Sequence, residues 1–233
     1  MNFLTQKIKL TESIFFSGFT DYHNHILPGV DDGMATMEEA FAALAFFEQL
    51  GVSTIVFTPH EMNDIKLAAG RREEVYEQLL AGYTGGMQLV LAGEYMLDSG
   101  FEERMREGLR VLKDDWVLVE TSFWAPPNHL YDLLFQITLA GFTPVIAHPE
   151  RYAYMGRPVY HRLKEKDCLL QLNLLSLAGQ YGGRVQKNAE YLLDQGMYDL
   201  VGTDIHRLHS FKESLSGMRI TSKRYNALRA LFQ

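Results

Sequence analysis

Short apolar runs alternate along the chain with stretches of helical periodicity. The apolar runs lack the strict alternation of half-buried strands, which is typical of strands covered by helices on both faces of a parallel sheet. We predict seven strands, at residues 20–25, 53–60, 88–96, 116–123, 143–148, 169–175 and 200–206. Helices are predicted between several of these strands, at residues 36–50, 70–82, 128–140 and 185–195.

The helix predicted at residues 36–50 has clear boundary signals. Thr36 is a suitable N-cap, Glu39 completes a capping box, and Gly51 ends the helix. Seven strand–helix units in 233 residues favour a closed or nearly closed parallel α/β barrel over a small open sheet. The alternative is a doubly wound sheet, but no Gly-x-Gly-x-x-Gly turn follows the first predicted strand.

Composition and charge exclude several classes of protein. The chain is 47% hydrophobic and 22% charged, as in ordinary globular proteins, and its net charge is −7. An acidic chain lacks the basic surface that holds nucleic acid, so we expect no such partner. No apolar run is long enough to span a bilayer, and no signal peptide is recognisable. We therefore expect a cytoplasmic protein; its oligomeric state is not predicted.

Potential metal ligands end six of the seven predicted strands. Side chains two apart on a strand point to the same side, as in His23-x-His25 and Asp204-x-His206. A carboxylate that ends an apolar strand needs a cation nearby, and carboxyl ends of strands form the active-site face of barrel enzymes. The sequence thus predicts a metal site built from eight residues, which are His23, His25, His60, Glu94, Glu120, His148, Asp204 and His206.

Other polar and aromatic residues follow these positions. Arg151 offers a guanidinium fork for two phosphate oxygens; the alternative is a surface arginine paired with Glu150 or a neighbour. Gln171 and Asn173 either hydrogen-bond to the ligands or cap a strand. Four aromatic residues are candidates for stacking on an aromatic leaving group or for packing, namely Tyr95, Phe123, Trp124 and Tyr152.

The single cysteine excludes one mechanism. A cysteine nucleophile of the Cys-x5-Arg type is absent, because Leu174 stands six residues after Cys168. One cysteine also excludes an internal disulfide framework and a cysteine-based zinc site. We expect Cys168 to be an inert packing residue.

Five segments together resemble the polymerase-and-histidinol-phosphatase (PHP) superfamily. Within it, they are most similar to the bacterial metal-dependent protein-tyrosine phosphatases of capsule and exopolysaccharide operons. The most specific pieces are the first motif, which ends in Asp-Asp-Gly, and an Ala-His-x-Glu-Arg-Tyr motif. The segments occur in order at residues 21–33, 58–60, 93–94, 147–152 and 203–206.

The resemblance implies a distorted seven-stranded (β/α)7 barrel of TIM-like type at residues 19–233, after an N-terminal extension at 1–18. It implies three divalent transition-metal ions, manganese first and iron or zinc as alternatives, with a metal-bridged hydroxide as nucleophile. Glu94 would bridge the metals. The nine implied ligands are His23, His25, Asp32, His60, Glu94, Glu120, His148, Asp204 and His206. The catalytic residues would be Arg151, Asp204 and His206, and the substrate-binding residues Arg151 and Arg207.

The implied substrate is a phosphotyrosine protein, with a capsule-locus tyrosine kinase as a possible partner. Relatives often carry arginines after the His60 motif, whereas residues 61–66 here contain two acids and one lysine. Phosphomonoester hydrolysis is therefore the firmer expectation. The alternatives are a small-molecule phosphatase of the histidinol-phosphate type, a nucleotide-directed esterase, and a non-catalytic capsule-locus interaction protein.

Overall fold

Two parallel sheets surrounded by helices form the frame of the computed structural model, which describes residues 7–232. The smaller sheet has the order β2 (Thr20–Asp21), β3 (Thr54–Phe57) and β5 (Gln88–Leu91). The larger sheet has the order β10 (Leu200–Gly202), β9 (Leu169–Asn173), β8 (Thr143–Ala147), β7 (Trp116–Glu120), β6 (Glu94–Met96) and β4 (His60–Glu61). The fold is thus a mixed α/β fold around a curled parallel sheet.

Each of the seven predicted strand segments contains a strand, but two are interrupted. Thr58 and Pro59 separate β3 from β4, since proline has no N–H for the ladder. Ala92 and Gly93 separate β5 from β6. Several predicted strands also end earlier than expected. For example, β8 ends at Ala147, because His148 has a left-handed backbone with φ 34°.

The helices cover the outer faces of the sheets. They are α1 (Met37–Leu50), α2 (Arg71–Gly82), α3 (Phe101–Glu107), α4 (Leu130–Leu139), α5 (Arg157–Lys164), α6 (Gly183–Asp194), α7 (Leu208–Gly217) and α8 (Ser222–Arg229). Short 3-10 helices lie at Leu10–Glu12, Pro149–Arg151, Leu174–Ala178 and Ala230–Phe232. Among residues 7–232, no helix is both long and apolar enough to cross a membrane.

The boundaries of α1 confirm Thr36 as the N-cap and Gly51 as the end of the helix, whereas the Glu39 side chain accepts a hydrogen bond from the Ala35 amide at 2.7 Å instead of from the Thr36 amide. Thr36 Oγ1 accepts a hydrogen bond from the Glu39 amide at 3.2 Å, and Gly51 ends the helix at φ 87°. Ala40, Leu44 and Phe47 are fully buried on the inner face of this helix.

The N-terminal segment, described from residue 7 onward, packs against the C-terminal part of the chain. β1 (Lys7–Lys9) pairs antiparallel with β11 (Arg219–Thr221). Phe15 and Phe16 are buried in the main apolar core, and Arg229 donates to the Phe15 carbonyl at 2.9 Å. Residues 1–6 of the predicted extension lie outside the described residues.

Candidate metal centre

All nine predicted ligands meet at the carboxyl ends of the parallel strands. They form four overlapping groups in which the candidate ligand atoms lie within 4.8 Å of one another. These groups are His25, Asp32, His60 and His206; His23, His25 and Asp204; His23, Glu94 and His148; and His60, Glu94 and Glu120. Because four residues belong to two groups each, the groups form one continuous cluster.

The first two histidines are oriented by polar partners outside the cluster. His23 Nδ1 lies 2.9 Å from Gln171 Oε1, and His25 Nδ1 lies 2.7 Å from Asp31 Oδ2. Their Nε2 atoms face each other at 3.3 Å. Partners at one ring nitrogen fix the orientation of the ring and leave the other nitrogen for a ligand. Both side chains are fully buried, so this orientation is held within the core.

Asp31 and Asp32 have different roles despite being adjacent. Asp31 Oδ2 also accepts the His60 amide at 3.1 Å, so one carboxylate orients His25 and anchors His60. Asp32 instead turns its carboxylate to His206 Nε2, at 3.3 Å, and to His60 Nε2, at 3.5 Å. The contacts of Asp31 with His25 and His60 are not predictable from the sequence, since either member of an Asp-Asp pair could face the histidines.

Glu94 occupies the middle of the cluster. Its Oε2 lies 3.0 Å from His60 Nδ1 and 3.2 Å from His23 Nε2, and its Oε1 lies 3.1 Å from His148 Nε2. Burial alone would raise the pKa of Glu94, but the imidazoles of His23 and His60 hold it well below its usual value. His25 Nε2 also lies 3.4 Å from Glu94 Oε2, so this carboxylate reaches four histidines and belongs to two of the four ligand groups.

Glu120 shares His60 with Glu94, since its Oε1 lies 2.9 Å from His60 Nδ1. Burial and the neighbouring Glu94 charge raise the pKa of Glu120 to about 7. Burial would lower the pKa of His60, but the two carboxylates raise it to about 10. Two carboxylates this close are costly unless a cation lies between them.

Unsatisfied buried atoms indicate that the cluster fits metal ions. Most of the buried side-chain atoms without a hydrogen-bond partner, among the residues described, belong to this cluster: His60 Nδ1, Glu94 Oε2, Glu120 Oε1 and His148 Nδ1. Three of these atoms face one another, since His60 Nδ1 lies 3.0 Å from Glu94 Oε2 and 2.9 Å from Glu120 Oε1 without forming a hydrogen bond. Buried polar atoms are normally paired, and a cation bound here would supply the missing partner. Mixed imidazole and carboxylate ligands suit transition metals. The residues therefore fit a divalent metal centre.

Arg151 reaches the edge of the cluster from the 3-10 helix after β8. Its Nη1 donates to Asp204 Oδ2 at 2.5 Å, and its side chain is 19% exposed. It does not pair with Glu150, which is buried and accepts hydrogen bonds from Ser176 and Tyr198. The alternative of a surface ion pair with Glu150 is therefore wrong, and the guanidinium lies beside the ligands.

Arg207 is exposed and binds backbone carbonyls. Its Nη1 donates to the Asp32 carbonyl at 2.7 Å, to the His206 carbonyl at 2.8 Å and to the Gly33 carbonyl. These bonds join the loop that carries Asp32 to the segment that carries His206.

The remaining candidates divide into contact residues and packing residues. Gln171 bonds to His23, and Asn173 donates to Asp204 Oδ2 at 2.7 Å while its Oδ1 also caps a 3-10 helix. Tyr95 and Tyr152 are buried and act in packing, with hydroxyls that accept backbone amides. Two aromatic residues are exposed, Phe123 at 38% and Trp124 at 88%, and the Phe123 ring contacts the His148 ring.

Cys168 is buried and far from the candidate chemistry. Burial raises the pKa of its thiol to about 11. A thiol with such a pKa is almost entirely protonated near neutral pH, so it is a poor nucleophile. The expectation of an inert packing residue agrees with this environment.

An α/β fold that gathers imidazoles and carboxylates at the carboxyl ends of its parallel strands is typical of metal-dependent enzymes. More specifically, the chain belongs to the family described as capsular polysaccharide synthesis, CpsB/CapC, whose model matches residues 19–230. The resemblance to capsule-operon phosphatases is thereby confirmed.

Named relatives and a solved structure support the same assignment. The tyrosine-protein phosphatase CpsB of Streptococcus pneumoniae is 29% identical over 231 residues, covering 90% of this chain and 92% of the relative. The tyrosine-protein phosphatase YwqE of Bacillus subtilis is 28% identical, covering 81% and 77%.

The fold is also similar to a solved structure, described as one of the crystal structures of YwqE from Bacillus subtilis and CpsB from Streptococcus pneumoniae, metal-dependent tyrosine phosphatases. It has a TM-score of 0.72 and 25% identity, and covers 82% of this chain and 81% of that chain. The similarity therefore extends over most of the fold as well as over the sequence.

Proposed function

We propose that this protein is a metal-dependent protein-tyrosine phosphatase that acts in capsular or exopolysaccharide synthesis. The observation that carries the proposal is the nine-residue cluster, most of whose members are buried, with its unsatisfied carboxylate and imidazole atoms, in a chain of the CpsB/CapC family. The names of the relatives supply the substrate class.

The ligand set is proposed to hold three divalent ions, manganese first, with iron or zinc as alternatives. When bound, such ions neutralise the charge of a phosphate monoester and activate water for attack on phosphorus. The four carboxylates of the cluster, Asp32, Glu94, Glu120 and Asp204, leave three divalent ions with a formal excess of positive charge. An anionic substrate would thus bind in a protein that is acidic as a whole.

The protein side chains around the cluster have separate proposed tasks. Arg151 binds two phosphate oxygens through its guanidinium, and Asp204 holds that guanidinium at the edge of the cluster. His206 completes the proposed catalytic set on the segment that also carries Asp204. Arg207 is proposed to contact substrate with its other guanidinium nitrogens, Nε and Nη2, while its Nη1 binds the Asp32 carbonyl.

We also propose that the two sheets are parts of one distorted seven-stranded (β/α)7 barrel within residues 19–233. β4 continues β3 after two residues, and β6 continues β5 likewise. The segments after β2 and β10 are joined by an Asn24–Ile205 bridge. The His25 amide donates to the Ile205 carbonyl at 3.0 Å, and the Asp204 amide donates to the His23 carbonyl at 2.7 Å. These bonds support closure between the first and last strands.

An activity screen tests the proposed function. The manganese-loaded protein is assayed against a phosphotyrosine peptide, histidinol phosphate and a nucleotide, with elemental analysis of each preparation. We expect two to three metal ions per chain and a preference for the peptide. His148→Ala, which removes a proposed ligand, serves as the inactive control.

Other outcomes would replace the proposal. A preference for histidinol phosphate or the nucleotide would indicate a small-molecule enzyme, and less than one ion per chain after reloading would favour the non-catalytic interaction protein. The kinase partner and the cytoplasmic location stay predictions.

A further inference from the structure

Two aromatic rings enclose the guanidinium of Arg151. Its Cζ lies 4.6 Å from the ring centroid of Phe123 and 4.3 Å from that of Tyr181. Phe123 follows β7, Arg151 follows β8, and Tyr181 follows the 3-10 helix after β9. Since β7, β8 and β9 are neighbours in the sheet, three successive strand ends contribute to one arrangement.

We propose that Phe123 and Tyr181 form an aromatic clamp that positions Arg151 for binding the phosphate group of the substrate. This inference rests on the proposed phosphatase function and assigns two positioning residues to it. Neither residue is a candidate metal ligand, and neither needs to touch the reacting atoms. The clamp acts only through the guanidinium of Arg151.

The physical reason lies in the flexibility of arginine. A free arginine side chain samples many rotamers, and that freedom is lost when the guanidinium binds a ligand. A guanidinium stacked on aromatic faces is already ordered and attracted by the ring electrons. The clamp therefore lowers the entropy cost of binding phosphate.

Hydrogen bonds tie one ring of the clamp to the cluster. Asn173 Nδ2 donates to the Tyr181 hydroxyl at 3.1 Å and to Asp204 Oδ2 at 2.7 Å. Asp204 Oδ2 also accepts from Arg151 Nη1 at 2.5 Å. Asn173 and Asp204 thus link the Tyr181 hydroxyl to the Arg151 guanidinium, which also lies over the Tyr181 ring. These contacts hold the ring at a fixed position relative to Arg151.

Burial alone does not account for the second ring. Phe123 is 38% exposed, whereas most large apolar side chains near the cluster are buried. It contacts the His148 ring, with centroids 5.7 Å apart and an interplanar angle of 29°. It also contacts the buried Tyr152 ring, with centroids 5.6 Å apart, and these two contacts hold Phe123 beside the Arg151 guanidinium.

Arginine side-chain NMR tests the clamp without an activity measurement. The zinc-loaded, ¹⁵N-arginine-labelled protein should give a ring-shifted Arg151 Nε–H signal, assigned with Arg151→Lys. Phe123→Leu and Tyr181→Leu should each move this signal towards the position of a free arginine. Phe123→Tyr keeps both rings and should leave it near the wild-type position. Tyr181→Phe keeps the ring but loses the Asn173 hydrogen bond, so it should move the signal less than Tyr181→Leu does. An Arg151 signal that is unchanged in both leucine variants would overturn the proposal.

Titration with inorganic phosphate tests what the clamp contributes. Each leucine variant should bind phosphate about 3- to 30-fold more weakly than the wild type, with unchanged metal content. Tyr181→Phe should lose less affinity than Tyr181→Leu, since the ring that attracts the guanidinium stays and only the Asn173 hydrogen bond is lost. Because Phe123 is partly exposed, Phe123→Leu keeps the test open if Tyr181→Leu fails to fold.

The chain offers a matched control. Arg157 Cζ lies 4.3 Å from the ring centroid of Tyr191, the same distance as in the Arg151–Tyr181 pair. Tyr191→Leu should shift the Arg157 signal and leave phosphate affinity unchanged. An equal loss of affinity in Tyr191→Leu, or a loss that follows metal content, would overturn the clamp. Inactivity of the wild type on every phosphomonoester would instead reject the proposed function, while the Arg151 signal still decides the clamp.

Discussion

The paired strands β4 and β6 carry buried carboxylates on both faces. The groups that neutralise these carboxylates differ between the two faces. On one face, His60 lies opposite Glu94 within the candidate metal centre. On the other face, Glu61 lies opposite Tyr95 and pairs with Arg110 at 2.8 Å and with Arg72 at 3.2 Å. One residue along the strand separates the two environments.

The difference lies in the source of positive charge. Glu61 has two guanidinium partners within the protein, and Arg110 also pairs with Glu73. The negative charges on this face are therefore neutralised by protein groups. The described ion pairs of Glu94 and Glu120 are to histidines, and the oxygen of each carboxylate that faces His60 makes no hydrogen bond among the described residues. Buried carboxylates without such partners are expensive unless a cation is supplied. The comparison teaches that one face is built for stability and the other for a ligand.

The largest expected effect comes from removing the central charge of the metal face. Glu94→Gln should lower kcat/KM on a phosphotyrosine peptide by about 10³-fold or more, because a bridging carboxylate is lost. Elemental analysis should show fewer ions per chain. The melting temperature of the chelator-treated variant should equal or exceed that of the chelator-treated wild type, since one uncompensated buried charge is gone. Full metal content with normal turnover would contradict the assignment.

Metal removal should destabilise the wild-type protein strongly. A ligand present at 1,000 times its Kd stabilises the folded state by about 4 kcal/mol. For a chain of this size, that corresponds to a loss of roughly 8–16 °C in Tm on chelation. Calorimetry with and without chelator measures the change. The same treatment of Glu94→Gln should give a smaller loss; equal losses would show that Glu94 does not hold metal.

Arg151 is the guanidinium that contacts the metal face, so its removal separates substrate binding from metal binding. Arg151→Ala should lower kcat/KM by about 10- to 150-fold, since a charge-assisted bidentate contact contributes roughly 1.5–3 kcal/mol. Metal content and Tm of the loaded protein should stay near wild type. Arg151→Lys should recover little of the activity, because an ammonium lacks the fork. Reduced metal content in Arg151→Ala would instead assign the residue to the cluster's structure.

The smallest effect on activity is expected on the opposite face. Glu61→Gln removes the charge shared by Arg72 and Arg110 and should cost about 1–3 kcal/mol of unfolding free energy. Metal content should be unchanged, and kcat/KM should fall less than in Arg151→Ala. Denaturant unfolding and elemental analysis of the same preparations measure both quantities. Loss of metal together with stability would mean that the two faces are not independent.

Much of the metal face could be predicted because its signals are local. His23-x-His25 and Asp204-x-His206 are visible as spaced pairs, and each stands next to an apolar run. Parallel strands bring their carboxyl ends to one edge of a sheet, so topology alone gathers these residues. The α1 boundaries were equally accessible, because Thr36 and Gly51 act on their immediate neighbours.

The rest depends on contacts between distant parts of the chain. Tyr181 approaches Arg151 from 30 positions away in sequence, and no motif marks it. Glu61 follows the His60 motif directly in sequence, but the fold turns it away from the cluster towards Arg72 and Arg110. The predicted strands at 53–60 and 88–96 are each interrupted, because β3 and β5 belong to the smaller sheet whereas β4 and β6 belong to the larger one. Hydrophobic patterning does not encode this change of sheet.

The pairing of β1 with β11 also has a practical consequence for engineering this protein. Lys7 lies opposite Thr221, and Arg229 binds the Phe15 and Ser17 carbonyls, so the two ends of the described chain are neighbours. They lie near the amino end of β2, whereas the ligands lie at the carboxyl ends of the strands. A short linker between these ends would give a circular permutant, and a surface anchor attached there would leave the mouth of the site facing solution.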